Sequence, residues 1–350
     1  MDARLHTAPR VTTCVLTIVL LATACSRTGA DDGPTPTQSP QATPGSLGQT
    51  SSHSSVPPPR ELDGREPVLV GEPIDVRTLE GRIVFDDFED VYVMRADGTH
   101  VRPVANRRGP EFDGAWAPDG RQIVYRDSRR GINENDEIYV VDADGSGARN
   151  LTRDPGNDWG PDWSPDGSTI AFNSDRDGGV VGGYLVSTDG SDVRRIDTDV
   201  WVEYPAFSPD GTRIAFMGHA AGDYDIYVAE LATGMATQLT DAPGSDGWPT
   251  WSPDGSMIGF ATERDDCLHL TGSASCWSTG EVGEHHDIWV MEADGSNQRR
   301  VTPEFGQFVT WSPDGRYLLI SGYSLYVIRP DGTGRADVAP AAGGIPDWTD

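Results

Sequence analysis

Basic side chains are few in this sequence. Lys and Arg together number 27 against 55 Asp and Glu, a formal charge of −28. Duplex binding draws mainly on Lys and Arg neutralising phosphates, so nucleic acid is excluded as a partner. The acidic excess itself reads as solubility. Long apolar runs are missing too. The uncharged stretch VTTCVLTIVLLATA at 11–24 has 14 residues, short of the roughly 20 an ordinary membrane span needs. Catalytic signatures are absent: no G-x-S-x-G elbow, no H-E-x-x-H, and no phosphate-cradling Gly loop ahead of a helix. With 55 carboxylates, any isolated acid pair suited to glycosidic cleavage arises by coincidence. Cysteine numbers four.

What is present begins with a leader. Arg4 and Arg10 precede the apolar stretch, and Cys25 follows the small residues Thr23 and Ala24. That is the order of a secretory signal. LATAC at 21–25 resembles the bacterial lipoprotein box, with Leu21 one place earlier than usual. The resemblance implies a signal peptide over 1–24, a lipid on Cys25, and a domain outside the cytoplasm anchored to the cell membrane. Residues 26–60 are Ser, Thr, Pro, Gly and Gln with almost no large apolar side chain. Such a segment buries too little surface to offset its ordering entropy, so 25–60 reads as the lipid-attachment Cys and a tether. A lead-in, 61–80, follows without amphipathic helical periodicity.

From there a phrase repeats. WSPDG stands at 163–167, 251–255 and 311–315, with WAPDG at 116–120 and FSPDG at 207–211. Its aromatic recurs at steps of 47, 44, 44 and 60 residues, the period of propellers and arrays. Pro-Asp-Gly is a tight hairpin turn. The later ADGS and TDGS are the same device. Short β-branched and aromatic runs between the turns, such as STIAFNS at 168–174 and DIYVAELATG at 225–234, are strands. Each unit is one four-stranded meander. A lone meander leaves apolar surface on both faces, and radial stacking covers it. The later elements of a sixth unit come first, GRIVFDD at 81–87 onward, and its missing first strand comes last, GGIPDWTD at 343–350. The expected fold is all-β: a six-bladed propeller over 81–350, of four-stranded antiparallel blades, closed by the C-terminal strand on the first blade.

The pattern W-S-P-D-G, I-A-F, I-Y-V-M, A-D-G-S, L-T resembles the TolB-type, WD40-like propeller repeat over roughly 81–350. It resembles the propeller alone, because only 61–80 stands where TolB carries a further domain. The resemblance implies partner binding, and also a structural part in a cell-envelope complex.

Candidate site residues lie just ahead of the phrase, where the first strand of each blade enters the channel. Asp158 and Trp159, Glu203 and Tyr204, Asp246 and Trp248, and Phe308 fall there. Aromatics with a polar rim are the usual anchors of recognition. They suggest a funnel for a cationic peptide segment or a sugar, against the alternative of inter-blade packing with solvated acids. The fifth full unit carries an insertion, 263–287, with Cys267, Cys276, His269, His285 and His286. Outside the cytoplasm the two cysteines form a loop-closing disulfide; their spacing with His matches no zinc pattern. The Asp-rich turns at 142–145 and 175–179 resemble fragments of calcium loops, but Arg153 stands where the twelfth ligand belongs. No cofactor is expected beyond adventitious calcium.

The expected function is a monomeric, membrane-anchored binding or scaffold propeller for a protein, peptide or envelope glycan. The rival is a carbohydrate-active enzyme using acids in the same funnel.

Overall fold

A computed structural model describes residues 71–105, 109–128, 135–219, 223–264, 286–302, 306–340 and 344–350. The leader, Cys25, the tether, the first half of the lead-in, and the loop with Cys267 and Cys276 lie outside these residues. No helix among the described residues is long and apolar enough to cross a membrane.

The repeat units fold as six four-stranded antiparallel sheets. Blade 1 holds Arg82–Asp86, Val91–Arg95 and Arg102–Ala105, with the C-terminal Asp347–Thr349 as its inner strand. The inner strands of blades 2 to 6 are Glu111–Trp116, Asp158–Trp163, Glu203–Phe207, Asp246–Trp251 and Gly306–Trp311. Each inner strand touches the next, and that of blade 6 touches that of blade 1, so the ring is closed.

The aromatic, Ser, Asp and Gly of the repeated phrase have structural tasks. The indole N–H of Trp163, Trp251 and Trp311 donates to a carbonyl of the preceding blade, Ala115, Ala206 and Thr250, at 3.2, 3.2 and 3.3 Å. In blade 3, Ser164 Oγ donates to Asp166 Oδ1 at 2.7 Å and accepts from the Thr169 N–H at 2.9 Å. Asp166 Oδ1 also accepts from the Ser168 N–H at 2.9 Å. Gly167 takes φ 70°, which a side chain would strain. The phrase therefore builds the turn and joins neighbouring blades.

Between each pair of blades lies one apolar layer, six in all. Strand alternation turns one face of each sheet to each neighbour. Ile170, Phe172 and Val186 face blade 2, while Ala171 and Leu185 face blade 4. The layer between blades 6 and 1 also contains Ile74 and Leu79 of the lead-in. The closing strand pairs Thr349, Trp348 and Asp347 with Arg82, Ile83 and Val84. Trp348 Nε1 donates to the Glu80 carbonyl at 2.9 Å, and Asp347 Oδ2 accepts from the Trp116 N–H of blade 2 at 2.7 Å.

Candidate functional site

Inner strands run from an entry end, where the chain arrives from the preceding blade, to a turn end marked by the phrase. Aligned on the phrase, the third residue of the inner strand is Asp113, Gly160, Tyr204, Trp248 and Phe308 in blades 2 to 6. In all five blades the ladder slips register around this place. Asp113, Gly160, Tyr204 and Trp248 take φ 55, 58, 48 and 50°. These are β-bulges, which re-aim a side chain. For a bulky Tyr or Trp the left-handed region is costly and marks a constrained site.

The bulges bring side chains of successive blades together. Tyr204 and Trp248 rings lie 5.7 Å apart. Phe308 meets Trp248 at 5.1 Å and 88°, and His286 meets it at 5.6 Å and 88°. This is an aromatic arc across blades 4, 5 and 6. Carboxyls and one arginine stand beside it, and Tyr204 feels the charges of Asp113, Arg126 and Glu203. Asp113 Oδ2 accepts from the Gly160 N–H at 3.3 Å, and Asp86 Oδ2 accepts from the Asp113 N–H at 3.3 Å. Burial, then the neighbouring Asp113 charge, pushes Asp86 up to about 8. Burial also raises Asp113, against the pull of Arg126. Arg126 is itself ion-paired with Asp136. Glu203 accepts from the Tyr224 hydroxyl at 3.3 Å, and burial raises its pKa. Glu263 faces His286 Nε2 at 3.2 Å.

The seven candidates from the sequence divide into separate groups. Asp158 and Asp246 occupy the first position and are fully buried. Asp158 accepts from Arg176 at 2.9 and 3.0 Å, and Asp246 from Arg264 Nε at 3.0 Å. Both pairs span 18 residues. These are clasps within a blade. Trp159 and Glu203 take the second position and are half-buried. Tyr204, Trp248 and Phe308 share the third position and the arc. Asp86, Asp113 and Arg126 were not among the seven, and His286 was read only as part of the insertion 263–287. Asp113 was findable, because it holds the third position in blade 2. Asp86 was not, since it ends a strand that carries no phrase.

The turn end of the channel holds a second feature, a cavity of about 220 Å³ lined by Asp162, Asp347, Thr250 and Thr310 with the tryptophans and prolines of the phrase. Asp162 Oδ2 accepts from the Phe207 N–H of blade 4 at 2.7 Å. Burial, and then Asp347 across the cavity, pushes Asp162 up to about 7. A carboxyl raised on folding favours the protonated native state. Its cost is therefore absent near pH 4, grows as pH rises, and is complete above pH 7. Asp162→Asn is expected to melt above the wild type at pH 8, by on the order of 2 kcal/mol, with the difference vanishing near pH 4. Urea melts at the two pH values check it.

Among the described residues, no group of three or more His, Cys, Asp or Glu is placed to hold a metal ion.

Comparison with known proteins bears on this ring of repeats. The sequence profile of the TolB beta propeller domain matches residues 89–204 and 197–267. The chain belongs to that family. Among solved structures, TolB from Acinetobacter baumannii is similar at TM-score 0.62 and 21% identity, over 77% of this chain and 66% of that one. This chain thus spans just under two thirds of that TolB. A putative TolB from Agrobacterium tumefaciens is similar at 0.58 and 19%, over 76% and 91%. A chain of the nidogen/laminin complex is similar at 0.60 and 11%, over 77% and 98%. At such identities the likeness is one of fold. No curated protein matches the sequence. As a TolB propeller, the chain has a fold consistent with a binding or scaffold role.

Proposed function

We propose that this TolB-family propeller is an extracytoplasmic, membrane-anchored binding module that recognises a protein or peptide of the cell envelope at its entry-end mouth. One observation carries the reading: three blades spend strained or irregular backbone to bring Tyr204, Trp248 and Phe308 together. Trp248 also packs against the layer between blades 5 and 6, and the bulges turn it onto Tyr204 and Phe308 of the neighbouring blades. Rigid, concave aromatic sites suit recognition. The leader and Cys25 support the anchor, and the TolB resemblance supports an envelope setting.

One experiment with two arms tests it. Cys25→Ser is expected to move the protein from the membrane to the soluble fraction; unchanged partitioning refutes the anchor. The wild type is expected to capture a stoichiometric partner from detergent-solubilised membranes, and Trp248→Ala, melting like the wild type, to lose it. Capture that ignores Trp248→Ala removes the mouth as the binding site.

A further inference from the structure

The turn-end cavity takes no part in the binding reading above, and the repeat does not require its polar lining. The residue just before the aromatic that ends each inner strand is, around the ring, Asp347, Ala115, Asp162, Ala206, Thr250 and Thr310. Four blades use Ala or Thr there, so the fold does not demand an acid. The two acids stand in the same three letters, PDW at 161–163 and 346–348. Both are half-buried, and both line the one cavity together with Thr250 and Thr310. Bringing them together costs stability, because burial and then Asp347 raise Asp162. No cation among the described residues offsets the pair. The buried acids of the clasps, Asp158 and Asp246, each have an arginine of their own.

We propose that the turn-end cavity binds a primary ammonium group on a slender apolar stem, held by Asp162, Asp347 and the hydroxyls of Thr250 and Thr310. Size selects the ligand class. The cavity is about 220 Å³, far above the roughly 10–15 Å³ one water needs and below the roughly 300–1,000 Å³ of a pocket for a drug-sized ligand. It suits one side chain or one small amine. The walls suit the stem: Pro165, Pro209 and Pro253 stand beside the indoles of the phrase, and an amine's methylenes lie along apolar surface while its head stays among polar groups.

The oxygens select an ammonium over other cations. Asp162 Oδ2 and Asp347 Oδ2 each accept a backbone N–H of the next blade at 2.7 Å, and Asp347 Oδ1 accepts that of Trp348 at 2.8 Å. These bonds obstruct the two parallel contacts by which a guanidinium grips one carboxylate. An ammonium places its three donors singly, and here the acceptors come from blades 1, 3, 5 and 6. Calcium takes about six to eight oxygens, whereas among the described residues no three acids or histidines gather to hold a metal. The chain contains no lysine, so a lysine filling the cavity belongs to a different protein; the other source is a free amine.

Calorimetry at pH 8 tests this with four probes: pentylamine, pentanol, N-acetyl-lysine methylamide and calcium chloride. Pentylamine is expected to bind about tenfold more tightly than pentanol. Asp162→Asn, expected above to be more stable than the wild type at this pH, should lose that preference. Binding of the lysine amide as well assigns the site to a partner's lysine; pentylamine binding without it assigns the site to a free amine. Equal affinity for amine and alcohol, no binding of either, calcium bound through Asp162 in place of the amine, or amine binding unchanged in Asp162→Asn overturns the proposal.

Discussion

Deleting residues 343–350 is expected to destabilise the domain by more than about 5 kcal/mol, enough to unfold much of a typical domain. The reasons add along the closing strand. Trp348 is buried, 7% exposed, in the layer between blades 6 and 1. Losing a buried aromatic of that kind costs about 3–5 kcal/mol. Its departure also frees the Glu80 carbonyl and uncovers Ile83, Met94 and Leu319. Asp347 goes with it, leaving the Trp116 N–H without its acceptor; a buried donor left unsatisfied costs about 1–3 kcal/mol. Blade 1 is left with an unpaired edge at Arg82–Asp86, which invites association between copies. Urea denaturation with light scattering reads both effects. A truncated protein that melts like the intact one would show that the ring does not depend on its C-terminal strand.

Arg264→Ala is expected to cost about 3–5 kcal/mol, because it leaves the Asp246 carboxylate buried without its counter-charge. Asp246 is fully buried, and burial already raises its pKa against the pull of Arg264. Arg264 Nη1 also donates to Gln298 Oε1 at 2.6 Å, which ties the clasp to the outer part of blade 5. The double change Asp246→Leu with Arg264→Met should recover most of the loss, since well-packed apolar pairs often replace buried ion pairs without penalty. Urea midpoints of the two variants decide it. A loss below about 1 kcal/mol for Arg264→Ala would place this pair with ordinary surface ion pairs. Asp158 with Arg176 is the same device in blade 3, so Arg176→Ala should behave alike.

The clasps show where the sequence was misleading. An acid beside an aromatic recurs ahead of the phrase in blades 3, 4 and 5, and the recurrence suggests one functional set. Yet Asp158 and Asp246 stand at the first position, Glu203 and Trp159 at the second, and Tyr204, Trp248 and Phe308 at the third. A strand turns its side chains to opposite faces at each step, and a bulge adds one more turn. Neighbours in sequence therefore part company: Asp246 goes to an arginine, Trp248 to the rings of Tyr204 and Phe308. The 18-residue offset from acid to arginine is present in the letters, but only the paired strands give it meaning.

The sequence by itself determined the blade count, the four-stranded meander, and the closing of the ring by its own last strand. These rest on turn chemistry and alternation, which are local and were written repeatedly along the chain. The tertiary structure alone decided which acids are struts and which face the mouth, and that Asp86 of blade 1 stands beside Asp113 of blade 2. Those facts depend on register at the bulges and on which blades meet. Both arise from contacts between residues far apart in sequence, and no local pattern records them.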